Sequence, residues 1–195
     1  MILVFAVAVA ALSVPLFGGS LSKLAALGIK GGWAIALALV LQVVIISVIP
    51  KQMLGWPGQT LELGAYVLAV AFLVINRRIP WLWLVGLGGL SNLVVIGANA
   101  GVMPASPVAL RAAGRARHPG QFMNSTVLSH PHLAWLGDNF SVPRTLPLAN
   151  VFSVGDVLLA VGALLLLHTV CGSAPARAVQ RTAPERELRG SIAQG

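Results

Sequence analysis

The chain has 195 residues, of which only 9% are charged and 57% hydrophobic, with a mean hydropathy of +0.87. A soluble domain of this length would carry about a quarter charged residues, so this composition excludes an ordinary water-soluble globular protein. The net charge of +8 comes from cations scattered over loops and tail, without an interleaved aromatic platform, and nucleic acid is excluded as a partner.

Five long apolar runs set the expected fold class: an all-α, multi-pass transmembrane bundle in one membrane domain, residues 1–171. A hydrocarbon core about 30 Å thick needs roughly 20 apolar residues per helix. Lipid offers no partner for backbone N–H and C=O groups, so each run must be helical. The spans are expected at about 2–17, 33–50, 61–75, 79–98 and 152–170. The first lacks a basic n-region and a small-residue cleavage site before Lys23, and it reads as a retained span rather than a signal peptide. Trp33, Trp56, Trp81 and Trp83 sit at span ends, as an interfacial belt requires.

Lysine and arginine in the connections give an orientation. Lys23, Lys30, Arg77 and Arg78 share a side with Arg177, Arg181, Arg186 and Arg189 of the tail, eight cations against five on the other side. That favours a cytoplasmic tail, an external N-terminus and an external loop at 99–150. The tail, 172–195, is rich in Ala, Pro, Arg and Glu, has no apolar period and is expected to be disordered. Arginine outnumbers lysine ten to three, and alanine and glycine abound, a composition that hints at a GC-rich bacterial genome; the cytoplasmic (inner) membrane is the expected location. No internal repeat supports an inverted-repeat transporter. The single cysteine, Cys171, excludes an internal disulfide.

Polar residues in lipid are costly, which makes each one a candidate site residue. Gln42 lies midway along the second span, and Glu62 opens the third with Tyr66 one turn below. Asn92 and Asn99 are two turns apart on the fourth span, on a face shared with Gly88, and Ser153 and Asp156 open the fifth. His168 alone falls near the inner surface. With Asp138, the set Gln42, Glu62, Asn92, Asn99, Ser153 and Asp156 is expected to gather in a polar pocket under the external loop. Helix packing accounts for the same residues without any ligand, since amides bridge helices for about 0.6–2 kcal/mol. Ser153 followed three residues later by Asp156 also fits a capping box, which satisfies orphan N–H groups at a helix start.

The loop at 99–150 holds Met103, Phe122, Met123, Leu128, Trp135, Leu136 and Phe140, too apolar for plain disorder, and should pack over the helix ends. Ser106-Pro107 starts a short helix, which places Arg111 and Arg115 on one face where they either meet lipid phosphates or are simply solvated. His130-Pro131-His132, with His118 upstream and Asp138 downstream, is a weak metal constellation, and histidines in a half-wet loop explain it better. Ser125, Thr126 and Ser129 lie near these histidines, yet no nucleophile elbow or phosphate loop is present in the sequence. No metal or cofactor is expected.

The segments Asn92-Leu93-Val94-Val95-Ile96, Asn99-Ala100-Gly101-Val102-Met103-Pro104, Leu136-Gly137-Asp138 and Asn150-Val151-Phe152-Ser153-Val154-Gly155-Asp156-Val157 resemble a bacterial five-span membrane family of unknown function. The resemblance implies an exposed loop after the fourth span and supplies no activity, substrate or catalytic residue. It marks Asn92, Asn99, Gly101, Met103, Pro104, Asp138, Ser153, Gly155 and Asp156 for testing. Three functions follow from the residues: a non-catalytic subunit or scaffold that binds a protein partner or lipid at the loop; an oligomeric transporter; and a membrane-embedded enzyme acting on an envelope lipid through Glu62, Asp138 or Asp156. An acid–base role needs a carboxyl within about 3 Å of the transferred proton.

Overall fold

The computed structural model describes residues 2–33, 36–37, 64, 67–99, 102–115 and 125–179. Three apolar helices make the frame. Helix α1 spans Ile2–Leu16 and closes at Gly18, whose φ of 68° reverses the chain into a short 3₁₀ turn at Leu21–Leu24. Helix α2 spans Leu82–Ala98; it follows a helical stretch at 67–75 and a turn through Arg77 and Arg78. Beyond the loop, α4 spans Val154–Cys171 and ends at Gly172, where a left-handed φ of 66° lets the next amides return to the His168 and Thr169 carbonyls.

Helices α2 and α4 run antiparallel: Asn92 meets Asp156 at one end, and the Trp81 indole donates to Thr169 Oγ1 at 3.0 Å at the other. Small residues make that approach possible. A Cβ on Gly88 would stand 2.6 Å from the Gly155 carbonyl oxygen and 2.7 Å from the Leu159 amide nitrogen, so only glycine fits. Helix α1 lies against α4 in the parallel sense, with Ser13 beside His168 and the Ser20 amide bonded to the Cys171 carbonyl at 3.0 Å.

The loop between α2 and α4 folds into a small cap. Strand β1 (Met103–Pro104) pairs in parallel with β2 (Ser125–Thr126), and a bridge joins Ala105 to Asp138. Strand β3 (Phe140–Val142) pairs antiparallel with β4 (Asn150–Phe152), stacking Phe140 on Phe152 at 5.5 Å. Helix α3 (Pro107–Ala112) follows Ser106, with proline in its first turn as the sequence predicts, although the serine hydroxyl makes no capping bond. Ala105, Ala109, Leu110, Ala113 and Val151 form the cap's own apolar core.

One expectation is corrected, and a second is shown only in part. The fold is mostly helical rather than all-α, because prolines at 104, 131 and 143 interrupt helix in the loop. Its backbone groups then find partners by short extended pairing instead. A five-span bundle is not supported by the described residues. Among them only Val154–Cys171, with 18 residues, reaches the length of a membrane crossing, while α1 and α2 are shorter apolar helices. Most of the second expected span and the first part of the third lie outside the described residues. The tail is also ordered further than composition suggests: 174–179 are helical, with the Ala174 amide bonded to the Phe17 carbonyl at 2.8 Å. Residues 180–195 lie outside the described residues.

Candidate functional site

The junction of α2, α4 and the cap gathers most of the described candidates. Ser153 and Asp156 form both halves of the capping box: Ser153 Oγ accepts from the Asp156 amide at 3.0 Å, and Asp156 Oδ2 accepts from the Ser153 amide at 3.2 Å. This local geometry is what the spacing dictates. Asn92 then crosses from α2 and closes the network, donating from Nδ2 to Asp156 Oδ1 at 2.8 Å and accepting from Ser153 Oγ at 2.7 Å. Both carboxylate oxygens of Asp156, both oxygen functions of Ser153 and the amide of Asn92 are thereby used inside one cluster. Gly155 lies directly beneath, and any side chain there would collide with the Asn92 amide.

Asn99 has different partners. Its Nδ2 donates to the carbonyls of Val95 at 2.7 Å and His132 at 2.9 Å, and its Oδ1 accepts from the His132 amide at 2.9 Å. The side chain thus imitates a strand edge and ties the His130-Pro131-His132 turn to the end of α2. Asn92 and Asp156 share one hydrogen-bonded cluster, and Asn99 makes a second at the end of the same helix.

Asp138 is buried in the cap. Its backbone joins the β1 region through Pro104 and Ser106, and its carboxylate accepts from the Ser125 hydroxyl. Burial pushes its pKa above the ordinary carboxyl value of 3.8; the Ser125 bond opposes the shift and the Asp156 carboxylate adds to it.

Gln42, Glu62, Tyr66 and His118 lie outside the described residues. His130 and His132 are exposed, and among the described residues no three His, Cys, Asp or Glu side chains converge as metal ligands. Ser125 spends its hydroxyl on Asp138, and the Thr126 carbonyl is taken by the Ala105 amide at 2.9 Å.

At the opposite end the structure gives His168, singled out in the sequence, partners that sequence reasoning missed. Ser13 donates its hydroxyl proton to the Ala10 carbonyl at 2.8 Å, which leaves its oxygen to accept from His168 Nε2 at 2.9 Å. His168 Nδ1 then accepts from the buried Ser173 hydroxyl at 2.8 Å. Buried Asn76 bonds both backbone groups of Lys30, at 2.8 and 2.9 Å, and so fastens the first connection to the third. These pairs are separated by up to 155 residues, and nothing in local spacing announces them.

A family model described as a family of unknown function, DUF5317, matches residues 26–168, well over half of the chain. The chain belongs to DUF5317. The matched region contains the whole Asn92–Ser153–Asp156 cluster, the Asn99 tether and Asp138. Neither a curated protein nor a solved structure matches the chain.

Proposed function

We propose that this DUF5317 member is an integral protein of the bacterial cytoplasmic membrane, with five spans, an external N-terminus, an external cap at 99–150 and a cytoplasmic tail. It works as a non-catalytic subunit or scaffold that binds a lipid or protein partner at the cap. The carrying observation is the inside-out distribution of polarity. Val4, Phe5, Leu12 and Leu16 of α1, Leu87, Leu90 and Val94 of α2, and Val157, Val161 and Leu164 of α4 are exposed, while Asn92, Ser153 and Asp156 turn toward one another between helices. A core helix of a soluble protein would be mostly buried, whereas only 17% of the Val154–Cys171 window is. Lipid is the solvent that suits such faces.

The Asn92–Ser153–Asp156 network favours a structural role for that acid, because each of its carboxylate oxygens already accepts a bond from the protein. Asp138 supports the second reading, an enzyme acting on an envelope lipid, since its raised pKa suits a proton donor. An oligomeric transporter has no specific observation in its favour.

Resistance of the full chain to alkaline carbonate extraction tests the membrane reading, and a reporter fused after Gln194 tests the topology; activity only on the external side would reverse the orientation. Nanodiscs prepared with envelope lipids test the catalytic question. An unchanged lipid mass profile is expected. Conversion of a lipid by the wild type and not by Asp138→Asn would replace the scaffold reading with the enzyme.

A further inference from the structure

The end of the bundle remote from the cap carries Lys23, Lys30, Arg77, Arg78 and Arg177, all exposed. The only acids among the described residues, Asp138 and Asp156, lie at the other end. Three helix C-termini, those of α1, the 67–75 stretch and α4, and one N-terminus, that of α2, lie at this end, so its dipoles sum to about one negative charge. That leaves roughly four positive charges unanswered by the fold's own dipoles. The cations are gathered by specific contacts rather than scattered. The Asn76–Lys30 clamp brings the first connection to Arg77 and Arg78, and the bonds from Ser20 to Cys171 and from Ala174 to Phe17 cross the α1 terminus over the α4 terminus.

At that crossing two cations stand over glycines. A Cβ on Gly172 would lie 2.6 Å from Lys23 Nζ, and one on Gly18 would lie 3.7 Å from an Arg177 guanidinium nitrogen. The missing side chains let both heads sit close to the two chain reversals, flanking the same short crossing. Ser20 and Ser22 add exposed hydroxyls beside it, 2.7 Å apart. Aromatic residues mark the same level: Trp33 and Trp83 are exposed, and Trp81 is pinned to Thr169 with its ring near Trp83 at 6.3 Å. Tryptophan prefers the headgroup boundary of a bilayer, so the cations above it stand at phosphate depth.

We infer that Lys23 and Arg177 form a binding site for the phosphodiester headgroup of an anionic phospholipid, with Arg77, Arg78 and Lys30 supplying the surrounding field. The inference rests on the membrane reading and is independent of which leaflet this end faces. Arginine recognises phosphate through its planar fork and lysine as a point charge. A basic residue near an anionic bilayer surface contributes about 1 kcal/mol, which corresponds to about a fivefold preference.

The test is lipid retention by the full-length protein, measured by native mass spectrometry after reconstitution in phosphatidylglycerol or phosphatidylcholine nanodiscs. The wild type should retain phosphatidylglycerol selectively, and retention should weaken as salt rises. The double variant Lys23→Gln/Arg177→Gln should lose that selectivity by about thirtyfold, at ~1 kcal/mol per charge. Equal retention of the two lipids, an unaffected double variant with a wild-type melting curve, or indifference to salt would each overturn the site. Displacement of bound lipid by millimolar inorganic phosphate would overturn the lipid and leave a free-anion site in its place. Failure of the membrane reading would appear separately, as release of the wild type by carbonate.

Discussion

The two ends of the α2–α4 pair solve the same problem in different ways. Beneath the cap, an acid at a helix N-terminus is locked by a neighbouring helix: the Asp156 carboxylate accepts from the Ser153 backbone amide and from the Asn92 side-chain amide, and Asn92 accepts from the Ser153 hydroxyl in return. At the far end, uncharged groups make the cross-links, His168 to Ser13 and Ser173, Trp81 to Thr169 and Asn76 to Lys30, while the charges stay exposed. The difference teaches where a carboxylate is affordable in such a fold. Asp156 is kept where a helix dipole and amide donors surround it, Asp138 where the Ser125 hydroxyl donates to it, and the cations are kept on exposed surface.

The largest change should come from Gly155→Leu. A side chain there strikes the Asn92 amide and the α2 backbone, so the cap-end network and the helix contact fail together. Overpacking costs about 1–3 kcal/mol, to which the orphaned polar groups add about 1–3 more. Denaturation of the reconstituted protein should show this loss, and a loss below 1 kcal/mol would mean that the helices separate at no cost and that the close approach is unimportant.

Asp156 separates capping from cross-linking. Asp156→Asn keeps one acceptor and should cost about 1 kcal/mol, whereas Asp156→Ala leaves Asn92 Nδ2 and the Ser153 amide without partners and should cost about 2–3 kcal/mol. Equal costs for the two variants would show that Asn92 contributes nothing beyond the cap. The double variant Asn92→Ala/Asp156→Ala should be less than additive, since both residues serve one network.

Asn99→Ala should act on the cap and spare the helices. Losing the amide removes three hydrogen bonds, two of them to the His132 backbone, and should cost about 1–2 kcal/mol. Its clearer sign is local: proteolysis near His130–Leu133 should accelerate while the helix melting signal holds. Protection equal to the wild type would place the cap's anchor elsewhere.

The smallest effect concerns pH. Because the folded pKa of Asp138 is raised above 3.8, the folded state binds the proton more tightly than the unfolded chain does. Its contribution to stability is complete below the unfolded value and is lost as pH rises through the folded one. Asp138→Asn should therefore flatten the fall of the melting temperature over that window, with the protein kept in the same nanodiscs. An identical slope in both proteins would show that Asp138 is solvated enough to titrate normally.

The sequence alone determined the apolar helices, the proline-led start of α3 and the Ser153–Asp156 capping box. Those features depend on hydropathy and on residues within one helical turn, both of which can be read directly from the chain. It did not show the strands of the cap, because segments of two or three residues carry too little alternation to read. Only the tertiary structure decided which partner each polar side chain would meet. Asn92 and Asn99 share a helix and residue type, yet one closes on Asp156 and the other on the His132 backbone; His168 finds two serines, and Asn76 finds Lys30. These choices follow from helix rotation, from the depth of the Gly88–Gly155 contact and from the path of the loop above it. Such long-range quantities are set when the whole chain packs.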